Sequence, residues 1–116
     1  MKKQTFACLL AGSILAAVNL TAVAAGDAER GKLTAYTCSG CHGIPGYNNV
    51  YPTYKVPKVG GQNYAYLVSA LKAYRDGDRQ HRTMVAQAGS LSDQDIEDVA
   101  AYFSSLGQAE SAGSDE

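Results

Sequence analysis

The feature that most constrains this chain is a five-residue motif, Cys38-Ser39-Gly40-Cys41-His42. Its two cysteines are three positions apart, so on a helical turn their side chains point the same way, and His42 follows directly. Cysteines this close cannot close a long disulfide loop. Yet the chain has 116 residues and no tryptophan, and much of its apolar content lies near the N-terminus. A domain of this size is usually stabilised by disulfides, a metal or another added group. Something outside the polypeptide must therefore complete the core.

C-x-x-C-H is the attachment pattern of c-type haem. Cys38 and Cys41 would each form a thioether with one vinyl group of the porphyrin, and His42 would be an axial ligand of the iron. Three other interpretations of the motif fit the sequence less well. A thioredoxin-like redox pair would need a βαβ unit around it. A zinc site would lack a second cysteine pair, and His81 alone cannot complete its four ligands. A chance match would leave the missing core unexplained. Haem is favoured because its large apolar faces would supply the missing core.

The second axial ligand of a haem iron bound in this way is Met or His. Met84 is the one methionine besides the initiator, and His81, three residues earlier, is the competing imidazole. A lone methionine is ordinarily a core filler. Met84 lies instead in the polar run His81-Arg82-Thr83-Met84, so we expect it, rather than His81, to be the ligand.

Residues 1–24 have the form of a signal peptide that is cleaved after export. Lys2 and Lys3 precede a mostly apolar stretch over 6–20, and Ala22-Val23-Ala24 has the small-x-small pattern of a cleavage site. A retained membrane anchor is the alternative, but the stretch is shorter than the ~20 residues of a spanning helix. We therefore expect a periplasmic protein with no stable membrane anchor.

Charge excludes some partners. Without Lys2 and Lys3, eight basic residues stand against eleven acidic ones, a net charge of about −3, which gives no reason to expect a nucleic-acid partner. The basic residues run through the middle of the chain, and the acidic ones gather after residue 92.

Periodicity predicts an all-α domain over 25–107. A helix over 27–38 begins at the N-cap Asp27, with apolar contacts from Leu33 and Tyr36. A second over 63–76 ends at Gly77. A third begins at Ser92, three residues before Asp95 in a near capping box, and ends at Gly107. Residues 43–61 and 78–91 are predicted to be loops, and 108–116 a disordered acidic tail. No strand pattern stands out.

Taken together, these residues resemble class I cytochromes c, and most closely the bacterial periplasmic carriers of the c4, c5 and c-553 type. The resemblance covers about residues 25–107. Besides the haem motif and Met84, it rests on five short runs: Pro57-Lys58-Val59-Gly60-Gly61-Gln62, Tyr66-Leu67, Gly77-Asp78-Arg79, Leu91-Ser92-Asp93-Gln94-Asp95-Ile96 and Ala100-Ala101-Tyr102-Phe103.

The resemblance implies a class I cytochrome c fold of three or more helices and long loops around one covalent haem. It implies that the first and last helices cross at Gly31, with Tyr102 packed on it. It also implies that a proline carbonyl accepts a hydrogen bond from His42 and tunes its basicity. Pro52 is the expected proline and Pro57 the alternative. Gln62 is a candidate partner of a haem propionate, as are Tyr54 and Lys58.

An iron held by both His42 and Met84 has no open position for a substrate, which favours an electron carrier over an enzyme. We expect a soluble, monomeric shuttle that docks transiently with a redox donor and acceptor. The alternative is a haem-bearing subunit of a periplasmic dehydrogenase, and a weaker one is a ligand-binding sensor or peroxidase-like protein. A basic rim of Lys55, Lys58, Arg79 and Arg82 is predicted to meet an acidic partner.

Overall fold

The structure is a computed structural model, and it describes residues 25–112. This part of the chain contains five helices and one short antiparallel hairpin. They are α1 (Ala28–Thr34), α2 (Tyr36–His42), β1 (Asn48–Val50), β2 (Thr53–Lys55), α3 (Tyr64–Asp76), α4 (Arg82–Ala88) and α5 (Asp93–Ala112). The all-α class is thus confirmed. The hairpin and α4 were not predicted, and both interrupt segments expected to be loops.

The crossing of α1 and α5 is the closest helix contact described. Asp27 caps α1 by accepting hydrogen bonds from the backbone N–H of Glu29 and Arg30. Gly31 is buried, and a Cβ there would overlap the carbonyl of Asp98 and lie 3.0 Å from the Cβ of Tyr102. Only glycine allows two helix backbones to approach this closely. The predicted crossing is confirmed.

Small residues, not large ones, form the buried side of α1. Ala35, between α1 and α2, is fully buried, whereas the side chains of Leu33 and Tyr36 are 79% and 82% exposed. The expectation that these two supply apolar contacts is therefore wrong. The buried residues from 28 to 35 are Gly31 and Ala35, and at Gly31 the approach of α5 leaves no room for a side chain.

A buried carboxylate ties the start of the domain to α5. Asp98 is only 3% exposed. Its Oδ1 accepts from the backbone N–H of Asp27 at 2.7 Å and from Gln94 Nε2 at 2.8 Å, and its Oδ2 accepts from Arg30 Nε at 2.9 Å. The hydrogen bond from Arg30 lowers the pKa of Asp98 to about 2, against an opposing effect of burial. The charge is tolerated inside because it is fully hydrogen-bonded.

The third helix, α3, connects the core with the rest of the domain. Asn63 caps it by accepting from the backbone N–H of Tyr66, and Gly77 ends it with a left-handed φ of 86°. That termination was predicted and is confirmed. Leu67 is buried against α5, while Leu71 and Tyr74 on the same side of α3 are half-buried.

The predicted capping box of α5 is confirmed. Ser92 Oγ accepts from the backbone N–H of Asp95 at 3.1 Å, and Asp95 Oδ2 accepts from the backbone N–H of Ser92 at 2.9 Å. The predicted helix end at Gly107 is wrong, because α5 continues to Ala112. Of the tail expected to be disordered, residues 108–112 continue the helix and 113–116 lie outside the described residues.

Gly107 does not end the helix; it allows the backbone of another segment to approach α5 closely. A Cβ there would lie 2.6 Å from the Cα of Gly61, whose backbone N–H donates to the carbonyl of Phe103 at 2.8 Å. Gly61 itself has a φ of 79°. Two glycines thus let the loop before α3 dock directly on the backbone of α5.

The hydrophobic core of the described residues is small. Its buried apolar members are Ala35, Leu67, Ala88, Ile96, Val99, Ala100 and Phe103. Four are alanine or valine, and Ile96 is the largest fully buried side chain. The predicted signal peptide, residues 1–24, lies outside the described residues. No helix within 25–112 is long and apolar enough to cross a membrane.

We expect Asp98→Asn to lower the free energy of unfolding at pH 7 by about 1–3 kcal/mol, because an amide cannot accept from both sides of the carboxylate site. Asp98 has a lowered pKa in the folded state, so its stabilisation is present above its ordinary value of 3.8 and is lost as the pH falls toward about 2. The variant should therefore show a shallower loss of stability over that range in denaturant titrations.

Asp93→Asn is the matched control for this measurement. Its carboxylate accepts from Arg75 at 2.7 Å, but its side chain is 69% exposed, so it should cost less than about 1 kcal/mol. Equal losses in the two variants would contradict the assigned role of Asp98.

Candidate functional site

A cavity of about 400 Å³ brings the sequence motif together with distant segments of the chain. Its walls come from α2, the segment 54–62, α3 and α4. Apolar side chains form most of its inner surface: Val56, Val59, Leu67, Ala70 and Leu71. Leu67 belongs to the buried core, and Val59 and Leu71 pack against it. The cavity wall is therefore the outer side of the hydrophobic core.

The motif residues Cys38, Cys41 and His42 all line this cavity from α2. Both cysteines are half-buried free thiols, and Cys38 packs against the core. Burial raises the pKa of the Cys38 thiol, more than hydrogen bonding to Thr37 lowers it. The helix thus presents two thiols and an imidazole to one apolar space, as the three-residue spacing predicted.

A backbone carbonyl fixes the His42 ring. The His42 Nδ1 lies 2.7 Å from the carbonyl oxygen of Pro57. Because a carbonyl can only accept, Nδ1 carries the hydrogen, and Nε2 keeps its lone pair. The arrangement orients an imidazole whose other nitrogen is able to bind a metal.

The expectation that Pro52 provides this carbonyl is wrong. The Pro52 carbonyl accepts from Asn49 Nδ2 at 2.8 Å, inside the hairpin. The hairpin uses residues 48–55, so the chain returns to α2 only after it, and Pro57 is the first proline beyond the turn. The alternative proline, Pro57, makes the contact.

Met84 lines the cavity from α4. His81 also lines it, but its side chain has another role: it caps α4, with Nδ1 accepting from the backbone N–H of Met84 at 3.4 Å. Sequence reasoning missed α4 because Ser, Thr, Asp and Asn are the usual caps, and histidine is not. The competing imidazole thus already uses one ring nitrogen in local structure.

The candidate propionate partners Gln62, Tyr54 and Lys58 also line the cavity. Gln62 is exposed, and its Oε1 accepts from the backbone N–H of Asn63 at 2.8 Å. The Tyr54 hydroxyl lies 3.0 Å from Thr83 Oγ1. The assignment of Gln62 to a propionate stays a prediction.

Other uses of the cysteine motif lack the surroundings they need. Residues 25–112 contain no group of three or more His, Cys, Asp or Glu side chains that could hold a metal ion, so a four-ligand zinc site is not assembled there. The strands in that range form one antiparallel hairpin, not the parallel βαβ unit of a thioredoxin-like protein.

A second, more open depression of about 550 Å³ lies between the start of the domain, α3 and α5. Its lining includes Tyr64, Val68, Lys72 and Glu97. It contains none of the cysteine, histidine or methionine side chains discussed above. Its volume exceeds that of the first cavity because it is a shallow, open surface. We therefore assign the functional site to the cavity that contains the motif.

Known proteins are similar to this chain over most of its described length. A family model described as cytochrome c matches residues 28–107. Cytochrome c-554(548) of Halomonas halodenitrificans is 46% identical over 84 residues, covering 70% of this chain and 98% of that protein. Cytochrome c4 of Pseudomonas aeruginosa is 41% identical over 95 residues, covering 80% of this chain but 46% of the relative.

A solved structure, that of reduced recombinant cytochrome c4 from Pseudomonas stutzeri, aligns with a TM-score of 0.55 at 32% identity. The alignment covers 68% of this chain and 47% of that one. The chain thus spans almost all of the Halomonas protein and about half of the cytochromes c4.

The Pro57 contact can be tested by Pro57→Ala in the haem-loaded protein. Freeing the backbone torsion at residue 57 should loosen its carbonyl, and we expect the His42 Nδ1 proton to exchange with solvent several-fold faster. Proton NMR of the reduced protein measures this exchange. Pro45→Ala, an exposed position in the same connection, is the control and should change nothing. An unchanged exchange rate in Pro57→Ala would contradict the assignment.

Proposed function

This chain belongs to the cytochrome c family, and we propose that it carries single electrons between redox partners on one haem held by Cys38, Cys41, His42 and Met84. The family consists of electron-transfer proteins rather than enzymes, and its haem c is bound covalently. The chain is therefore an electron-transfer haem protein. One observation carries the finer proposal: these four side chains line a single apolar cavity.

Each of the four has a distinct role in the proposal. The Cys38 and Cys41 thiols would attach the haem covalently, and His42 and Met84 would ligate its iron. When bound, haem c supplies an iron that changes oxidation state by one electron. The carbonyl of Pro57 keeps His42 in the tautomer that can ligate, and Leu67 and Leu71 keep water from the inner side.

The donor set explains why a carrier is proposed. Two protein ligands leave no position at which a substrate could bind, and a methionine ligand raises the reduction potential. The groups around the site hold their places through backbone contacts, such as the bond from His42 to Pro57. Little rearrangement is then needed when the electron arrives or leaves.

Export is part of the proposal. The signal-peptide pattern of residues 1–24 supports a periplasmic location, with the domain released after Ala24 and acting as a monomer.

We also propose that partners dock at a basic rim made of Lys55, Lys58, Arg79 and Arg82. The first three line the cavity, and Arg82 is exposed at the start of α4. Arg79 is held there, since its guanidinium lies 4.8 Å from the centre of the Tyr74 ring and donates to the Tyr66 hydroxyl.

Two acidic residues of α5 form ion pairs with basic residues outside this rim. Asp98 pairs with Arg30, and Asp93 pairs with Arg75. The molecule therefore combines a weakly acidic total with a basic surface near the site. Such a surface would steer an acidic partner toward the haem and release it quickly.

A second candidate is a haem subunit in a dehydrogenase complex. A relative that is 28% identical over 78 residues is the cytochrome subunit of sulfide dehydrogenase from Chlorobaculum tepidum. The exposure of Leu33, Tyr36 and Tyr51, the last 92% exposed, is compatible with a permanent partner. Gel filtration of native extract separates the two: a carrier elutes at its own size, a subunit with its enzyme.

The ligand assignment is tested by Met84→Ala. The haem should stay attached, because Cys38 and Cys41 are unchanged. The near-infrared sulfur-to-iron band should vanish, the reduction potential should fall, and carbon monoxide should bind the reduced protein. His81→Ala is the comparison: it removes the cap of α4 but leaves the Met84 sulfur, so the band should remain. A band that survives Met84→Ala and is lost in His81→Ala would reverse the assignment.

The docking proposal is tested by replacing Lys55, Lys58 and Arg82 with Gln. The electron-transfer rate with an acidic partner should fall at low salt, and its dependence on ionic strength should flatten. Lys32→Gln, an exposed basic position on α1 away from the cavity, should have little effect. An unchanged rate in the triple variant would remove the docking surface and leave the haem assignment intact.

A further inference from the structure

Tyr54 of the hairpin contacts the start of α4 beside Met84. Tyr54, on β2, places its hydroxyl 3.0 Å from Thr83 Oγ1. Its ring meets the His81 ring edge-to-face, with centroids 4.7 Å apart and planes at 88°. His81 in turn caps Met84. We propose that Tyr54 is a positioning residue that holds the Met84 end of α4 against the cavity, an inference that rests on the proposed ligation by Met84.

The first turn of α4 needs such support. The helix has seven residues, too few to be stable by itself. Its cap is an imidazole at 3.4 Å, a long hydrogen bond. Its far end is anchored, because Ala88 is fully buried, but Thr83 is exposed and Met84 half-buried. The end that carries Met84 therefore depends on contacts from outside the helix.

Tyr54 is well placed to supply that contact. It pairs with Asn49 across the hairpin, and the strand continues through Val56, whose backbone N–H donates to the carbonyl of Tyr47 at 2.9 Å. The tyrosine ring thus projects from a segment that is itself hydrogen-bonded. An edge-to-face ring pair contributes about 0.5–1.5 kcal/mol beyond its buried area, and the hydroxyl adds one hydrogen bond.

The same segment also contacts the other side of the cavity. Pro57, three residues after Tyr54, provides the carbonyl that fixes His42. One short stretch, Tyr54 to Pro57, therefore touches the histidine side through its backbone and the methionine side through Tyr54. The segment therefore bridges α2 and α4, the two helices that carry the proposed ligands.

Two variants test this in the haem-loaded protein. Tyr54→Phe removes the hydroxyl and keeps the ring against His81, and Thr83→Val removes the other partner at nearly constant volume. Each should raise the rate of carbon monoxide binding to the reduced protein about twofold to tenfold, the change given by one lost hydrogen bond of ordinary net strength. The sulfur-to-iron band should also disappear at a lower temperature than in the parent, before global unfolding.

A readout that does not depend on the haem is amide hydrogen exchange over residues 82–88, which should quicken in both variants. The double variant should resemble either single one, because both remove the same interaction. Tyr51→Phe is the matched control: the same substitution in the same hairpin, at a ring that is 92% exposed. It should match the parent in every measurement.

The outcomes separate the possible failures. A parent protein without the band would overturn ligation by Met84 and this inference with it. A parent with the band whose Tyr54→Phe and Thr83→Val variants behave like Tyr51→Phe would overturn the inference alone. An effect of Tyr54→Phe without any effect of Thr83→Val would also overturn it, because the hydroxyl would then act on another group.

Discussion

The crossing of α1 and α5 at Gly31 determines where the rest of the structure can lie. Two backbones meet there without an intervening side chain, and Asp98 fixes the contact through hydrogen bonds to Asp27 and Arg30. Because α2 follows α1 after the single buried residue Ala35, the crossing also sets the position of α2. The cysteines and His42 are thus placed by a contact that contains none of them.

The small core and the cavity follow from the same packing. A crossing made of glycine and alanine buries little apolar surface, and the described core has only one large, fully buried side chain, Ile96. Leu67 faces both the core and the cavity. A bound haem would extend the core across that shared wall, with each Å² of apolar surface it covers contributing about 25 cal/mol. Haem binding would therefore add to the free energy of folding of this chain.

Those features of the fold and of the site that depend on neighbouring residues could be predicted from the sequence. The capping box at Ser92 and the left-handed Gly77 depend on neighbouring residues alone, and the C-x-x-C-H spacing depends on the helical repeat. The errors concern residues whose role is tertiary. Gly107 has the appearance of a helix end, but it admits the backbone of Gly61. Leu33 has the right period for burial, but its side chain is 79% exposed because α5 packs on the side of α1 that carries Gly31.

The same limit explains the missed parts of the site. The capping of α4 by His81 has no ordinary sequence signal, and the contact from Tyr54 to Thr83 joins residues 29 positions apart. Pro52 and Pro57 are equivalent in sequence until the hairpin is known to absorb residues 48–55.

A long connection with three prolines, which the sequence marks only as a loop, turns out to supply the carbonyl for His42 and the ring beside His81. Rigidity in such a connection has a physical use: a one-electron carrier works fastest when its ligands move least. A strand-like segment fixed to both sides of the site would restrain them without adding any group to the metal, because its contacts reach His42 Nδ1, the His81 ring and Thr83 Oγ1 rather than the proposed ligating atoms.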